Sequence, residues 1–174
     1  MKLYCGFKLD HMTECMVKAA MTLANPIAPL TLVPEDRLHI TTAFLGELDE
    51  VTASDILKAA AGVSTFSCKL GAPSSFPSVL YLSVVCTSAR MVRDRQAERY
   101  KQLTGRTLWP KEYVPHLTIA KSDFKADRNL LAPLINDAKS KIDDFDSGEF
   151  LVDTLYLFHK SEVIDSVKLQ PVLF

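Results

Sequence analysis

Apolar and polar positions alternate over residues 2–9, with Leu3, Cys5, Phe7 and Leu9 on one face, which predicts a β-strand. Asp10 then stands where a helix N-cap would. Beyond it Met12, Cys15, Met16, Ala19, Ala20 and Leu23 recur at spacings of three and four, and Asn25-Pro26 ends the pattern. This predicts an amphipathic helix. Prolines at 26, 29 and 34 precede a β-rich run over 38–45. A short helix over 52–61, closed by Gly62, leads to strands over 66–70 and 79–86 joined by a Gly-Pro-Ser loop. The next helix, 88–104, sets Val92, Gln96, Tyr100 and Leu103 on one stripe, with Arg90, Arg93, Arg95, Arg99 and Lys101 outside it. Gly105 ends it. A strand over 114–121 follows, then a helix over 127–141 that tolerates Pro133 only near its first turn, then strands over 150–160 and 163–173. No linker or low-complexity stretch interrupts the chain, so residues 1–174 read as one α+β domain with mostly antiparallel pairing.

Composition narrows the partners. With 48% apolar and 24% charged residues the chain can bury an ordinary core. Lys plus Arg number 20 against 21 for Asp plus Glu, so a net charge of −1 supplies no general field for long nucleic acid. No apolar run is long enough to span a bilayer, and Lys8 follows Lys2 too soon for a signal peptide, which predicts a cytoplasmic protein with no membrane partner. Cys5, Cys15, Cys68 and Cys86 form no C-x-x-C pair and read as reduced thiols.

The chemistry sits in a weak internal duplication. Residues 33–43 contain Val33-Pro34-Glu35-Asp36-Arg37-Leu38-His39-Ile40-Thr41-Thr42-Ala43. Residues 109–120 contain Trp109-Pro110-Lys111-Glu112-Tyr113-Val114-Pro115-His116-Leu117-Thr118-Ile119-Ala120. Each has a proline, a charged turn and a His-x-Thr strand. Residues two apart on a strand share a face, so His39 points with Thr41 and His116 with Thr118, while Ile40 and Leu117 enter the core. Two imidazoles and two hydroxyls on one small object suit a phosphodiester. One imidazole takes a proton from water, the other protonates the leaving oxygen, and the hydroxyls donate to non-bridging oxygens.

Other readings of these residues are weaker. His11-Met12-Thr13 also fits the pattern, but at a helix start positions i and i+2 diverge, so His11 belongs to the surface. A zinc site needs three or four ligands, and neither motif has a Cys, Asp or Glu on its histidine face. Cys5 and Cys86 lie in apolar strand patterns, as buried inert thiols do. The structural alternative for His39 and His116 is a pair of half-buried histidines bonded to backbone carbonyls; their duplication with shared flanks favours chemistry.

These motifs resemble those of the two-histidine phosphoesterase superfamily, which pairs H-x-T/S motifs on the two lobes of a pseudo-symmetric fold. Residues 38–47 and 115–120 look like the two motifs of its branch of RNA 2′,3′-cyclic phosphodiesterases, once called 2′-5′ RNA ligases. The resemblance implies two pseudo-symmetric lobes, with antiparallel sheets flanked by helices around a central cleft. It implies His39 and His116 as the acid-base pair, Thr41 and Thr118 as phosphate contacts, and no metal or cofactor. Leu157-Phe158-His159-Lys160, where that branch has small polar residues, and few basic residues near the C-terminus weigh against long RNA.

Trp109 and Tyr113, in the loop before the second motif, are candidates to stack on a base, the alternative for Trp109 being a cap on the core. Phe44, opposite His39 in the alternation, reads as core; Tyr4 and Lys8 lie on the face that can reach the cleft. The arginine-rich helix reads as a solvated face with Asp94 and Glu98 as partners. The expectation is a monomeric, metal-independent phosphodiesterase. Its substrate is a short nucleotide, cyclic oligonucleotide or RNA end bearing a 2′,3′-cyclic phosphate or a 2′-5′ or 3′-5′ linkage. The rivals are a viral-type degrader of cyclic di- or trinucleotide or 2′-5′ oligoadenylate signals, and a non-catalytic nucleotide- or RNA-binding module. No nucleotidyl-lysine motif or phosphate-binding glycine loop supports ligation.

Overall fold

The computed structural model describes residues 1–109, 112–122 and 127–171. Pro110 and Lys111 of the second motif's lead-in, and positions 172 and 173 of the last expected strand, lie outside the described residues. Over the first half run β1 (Lys2–Phe7), α1 (His11–Ala24), β2 (Thr31–Leu32), a 3₁₀ turn (Glu35–Arg37), β3 (Ile40–Glu47), α2 (Glu50–Lys58), β4 (Phe66–Phe76) and β5 (Val79–Val85). The second half adds α3 (Thr87–Thr104), β6 (His116–Lys121), α4 (Arg128–Ser140), β7 (Glu149–Val152), β8 (Thr154–His159) and β9 (Glu162–Lys168).

Local chemistry accounts for the helix limits. Asp10 accepts a bond from Thr13 N at 2.8 Å and Asp49 one from Thr52 N at 2.9 Å, each satisfying an orphan donor of a first turn. Asn25 and Gly105 end α1 and α3 in the left-handed region, at φ 37° and 68°.

The strands form one curled sheet in the order β7-β4-β5-β6-β3-β1-β8-β9, with β2 laid along β6. All pairings between named strands are antiparallel. The fold is α+β with two pseudo-symmetric lobes, β7-β4-β5-β6 and β3-β1-β8-β9. They meet where Ile40 of β3 faces Leu117 of β6. Helix α3 packs on β3, and α2 on β8 and β9; α4 covers β4 and β5, and α1 lies against α4. Leu3, Cys5 and Phe7 of β1 are fully buried beneath this layer, as the opening alternation predicts.

Two expectations need correction. The Gly-Pro-Ser segment after Leu70 is strand, because β5 pairs with it as far as Phe76 and a bulge between Leu70 and Pro73 absorbs the proline. The stretch 150–160 is two strands: β7 pairs with β4, and β8 with β1 in the other lobe. At the crossing the Asp153 carboxylate accepts from Thr154 Oγ1 at 2.6 Å and Lys168 Nζ at 2.9 Å. Pro133 is the sixth residue of α4, just past its first turn, on its exposed side, where the carbonyl it deprives of a partner is open to solvent.

Candidate active site

The two His-x-Thr motifs meet at the seam between the lobes. With Ile40 opposite Leu117 in an antiparallel pair, His39 falls beside Thr118 and Thr41 beside His116. Ile40 and Leu117 are fully buried, and the four motif side chains lie half-buried on the other face.

The histidines are anchored alike. His39 Nδ1 lies 2.6 Å from the Arg37 carbonyl oxygen, and His116 Nδ1 lies 2.8 Å from that of Val114. A carbonyl only accepts, so Nδ1 carries the proton in each ring and Nε2 is left as the reactive nitrogen. Aromatic rings wall both imidazoles. His39 stacks on Tyr4 at 4.7 Å and tilts against Phe158 at 5.4 Å. His116 meets the edge of Phe76 at 5.1 Å and tilts against Tyr81 at 5.2 Å. Burial lowers the His39 pKa below the ordinary imidazole value, against the raising effect of the Arg37 carbonyl, and the charges of His116 and Lys121 lower it further. The Thr41 and Thr118 hydroxyls have no bonding partner among the described residues. Thr42 Oγ1, by contrast, is committed to Gln96 Oε1 at 2.7 Å.

Each motif strand carries a bulge just past its threonine. On β3 the partners of Cys5 and Gly6 are Ala43 and Thr41, so Thr42 is the extra residue. On β6 the partners of Leu80 and Tyr81 are Ala120 and Thr118, so Ile119 is extra. A bulge resets the alternation. Phe44 therefore faces outward, 48% exposed, against the expectation that it belongs to the core. Lys121 is carried to the motif face by the same reset, which explains why its charge is felt at His39.

Behind the site, β3 is held by groups read differently from the sequence. Tyr113 is 8% exposed; its hydroxyl donates to the Thr41 carbonyl at 3.0 Å, and the Arg93 guanidinium covers its ring at 5.1 Å. With one face covered and its edge buried, Tyr113 has no free face for a base, so the stacking expectation for this residue is corrected to one of support. Arg93 is itself 5% exposed, not part of a solvated face, and donates to the Thr42 carbonyl at 2.9 Å. Arg90 donates to the Tyr113 carbonyl at 3.1 Å. Trp109 is 77% exposed, which excludes a cap on the core and leaves its indole open. Lys8 sets its ammonium 5.1 Å from the Tyr156 ring, on the same face as Tyr4. His11 opens α1 on the exposed surface.

Comparison with known proteins matches residues 23–163 to the family described as the 2′-5′ RNA ligase superfamily. The chain belongs to this superfamily. Among its members, the RNA 2′,3′-cyclic phosphodiesterase of Methanocaldococcus jannaschii is 31% identical over 134 residues, 74% of each chain. The protein TT0787 of Thermus thermophilus has the same fold, with a TM-score of 0.76, 21% identity, and coverage of 98% of this chain and 99% of that one. E. coli LigT complexed with 3′-AMP superposes at a TM-score of 0.72 with 16% identity, covering 97% of this chain and 98% of its own. The protein is thus a phosphoesterase of the two-histidine, LigT-like branch. Among the described residues no helix is long and apolar enough to cross a membrane.

Proposed function

We propose that the chain hydrolyses phosphodiesters of short nucleotides, carrying a 2′,3′-cyclic phosphate or a 2′-5′ or 3′-5′ linkage, by acid-base catalysis between His39 and His116. The observation that carries this reading is the Ile40–Leu117 pairing, which brings both histidines and both threonines to one face of the seam, a convergence that two merely half-buried histidines would not need. Anchoring through Nδ1 leaves each ring its Nε2, as a reaction needing one proton acceptor and one donor requires. Burial favours neutral His39, which suits it to accept. A water oxygen attacks phosphorus and its proton passes to His39 Nε2. The bond from phosphorus to the ribose oxygen breaks, and that oxygen takes a proton from His116 Nε2. Thr41 and Thr118 hydroxyls donate to the non-bridging oxygens, and Lys121 adds positive charge. The name of the Methanocaldococcus relative and the 3′-AMP held by LigT support a nucleotide substrate.

The test is a panel of 2′,3′-cyclic mononucleotides, cyclic dinucleotides, 2′-5′ oligoadenylate and cyclic-ended RNA, incubated with protein in EDTA and separated by chromatography. At least one substrate is consumed. His39→Ala and His116→Ala each lower kcat by about 10²-fold or more, with the fold intact, and the two threonine variants lower it less. Full activity in either histidine variant refutes the mechanism, and retention of nucleotide without turnover identifies a binding module instead. The net charge of −1 favours short substrates. On that basis kcat/KM for a trinucleotide equals or exceeds that for RNA of about 20 nucleotides with the same end.

A further inference from the structure

On the core side of the β4–β5 hairpin, near enough to Tyr113 to be felt there, two cysteines 18 positions apart face each other. Lys69 pairs with Val85 and Leu70 with Val84, and the same register continued one step sets Cys68 directly across from Cys86. Leu70 and Val84 are buried, so Cys68 on β4 and Cys86, the extended residue just past β5, each two positions away, share that inward face. Residues directly opposite in an antiparallel pair have Cα atoms about 4.5–5.5 Å apart, inside the span a disulfide bridges. The two thiols are free and differ in environment: Cys68 is 1% exposed, whereas Cys86 is half-buried.

Cys86 also occupies the N-cap of α3, an 18-residue helix. Its extended backbone, φ −165° and ψ 108°, turns the chain from β5 into the helix. A helix N-terminus offers unsatisfied N–H groups and the positive end of the backbone dipole, both of which favour a thiolate. We propose that Cys68 and Cys86 are a reversible redox pair, closing to a cross-strand disulfide when a peroxide oxidises Cys86 and opening under thiol reductants.

The chemistry balances. The Cys86 thiolate attacks one peroxide oxygen, the O–O bond breaks, and the departing hydroxide takes a proton to become water, leaving a sulfenic acid. The Cys68 sulfur then attacks the Cys86 sulfur; the S–S bond forms, and the released hydroxide leaves as water with the Cys68 proton. Two thiols are oxidised and one peroxide is reduced to two waters. The division of labour follows from the surroundings. The Cys68 thiol, then the Ala89 and Ser88 amides of α3, lower the Cys86 pKa against an opposing effect of burial. The same contact with Cys86, followed by burial, raises that of Cys68. Cys86, half-buried at the start of α3 and open to a peroxide, is the attacking thiol, and Cys68, 1% exposed, the resolving one. Cys5, fully buried and with burial raising its pKa, has no such partner, and Cys15 is exposed beside His11 on α1.

The experiment uses the full chain, reduced, desalted and exposed to hydrogen peroxide at neutral pH. Remaining thiols are then alkylated in denaturant, and the protein is digested without reductant for mass spectrometry. The expected product is a linked pair of peptides containing Cys68 and Cys86, two hydrogens lighter than the separate thiol peptides and released by dithiothreitol with both thiols restored. Cys15→Ser leaves this link in place, and Cys86→Ser removes it and returns Cys68 as an alkylated thiol. The wild-type digest is decisive whether or not the Cys86 variant folds. Recovery of Cys68 and Cys86 as alkylated thiols after Cys15 has been oxidised, or Cys86 found as a sulfinic acid without the link, overturns the proposal.

Discussion

Replacing Gly6 by alanine tests how far the geometry of the site depends on one missing side chain. Gly6 lies on β1 between Thr41 of β3 and Tyr156 of β8, beside the bulge that turns Thr42 away from the cleft. A Cβ built there would stand 2.4 Å from the Ile40 carbonyl oxygen, 3.2 Å from its carbon and 3.3 Å from Thr41 Cα. All three are backbone atoms of the motif, so no side chain can swing aside. Restoring ordinary contact requires about 1 Å of displacement between β1 and β3. Overpacking of this kind costs about 1–3 kcal/mol, and a strand alanine recovers about 0.5–1 kcal/mol of it by restricting the unfolded chain. A net loss of up to about 2.5 kcal/mol follows, read as a lower midpoint in urea. The kinetic effect is larger, since a misplacement of about 1 Å costs on the order of 10²-fold when reacting groups must align. If β1 takes half the movement, kcat/KM for a 2′,3′-cyclic mononucleotide falls by about 10-fold, and by about 10² if β3 takes it all. The fall resides mainly in kcat, because the Thr41 hydroxyl is misaligned against the transition state rather than removed from the ground-state complex. A Gly6→Ala protein with unchanged midpoint and unchanged kcat would refute the reasoning. A lower midpoint with unchanged kcat would show that β1 yields and that this contact does not position the motif.

Four further outcomes follow from the site. The rate profile in pH is bell-shaped, with an acidic limb below 6.5, because burial lowers His39 and the neutral ring is the active form. The same shift bears on folding: stability owed to neutral His39 is complete above pH 6.5 and is lost as pH falls through the lowered folded value. His39→Gln therefore flattens the acid side of the stability curve in urea titrations, and an unchanged curve contradicts the assignment. Tyr113→Phe deletes the bond to the Thr41 carbonyl, costing about 0.5–1.5 kcal/mol in denaturant titration and lowering kcat with little change in KM. Trp109→Ala does the reverse, raising KM with kcat nearly constant, if its open indole stacks on a base; identical KM values remove it from the site.

The parts of the fold that could be read from the chain are those governed by local chemistry. Alternation placed β1, spacing placed α1 and α3, and Asp10, Asn25 and Gly105 set their ends within a residue or two. The parts that could not be read are governed by a partner distant in sequence. Gly71 to Phe76 has the composition of a loop, and pairing to β5 alone makes it strand. Asp153 has no local signal that ends a strand; the break arises because β4 and β1, in different lobes, claim the residues on either side. Arg93 looks like one more cation on a polar helix. Its burial comes from Tyr113 and the Thr42 carbonyl, which reach it only after the lobes assemble.

The site divides along the same line, and the dividing point is the extra residue just past each motif threonine. Before the bulge, period-two counting works: His39 with Thr41 and His116 with Thr118 share one face of the seam because nothing intervenes between them. After the bulge it inverts. Phe44 and Lys121 each lie five positions past a motif histidine, so a strict alternation assigns both to the core face along with Ile40 and Leu117. Bulges at Thr42 and Ile119 turn both outward instead. The duplication visible in the sequence is therefore also a duplication of an irregularity, and the irregularity gives the two halves different chemistry at equivalent places. The first turns an aromatic ring outward and the second a cation whose charge is felt at His39, each past a histidine anchored in the same way. A symmetric scaffold thus carries an asymmetric site, which the proposed reaction requires, since only one histidine can begin the cycle protonated.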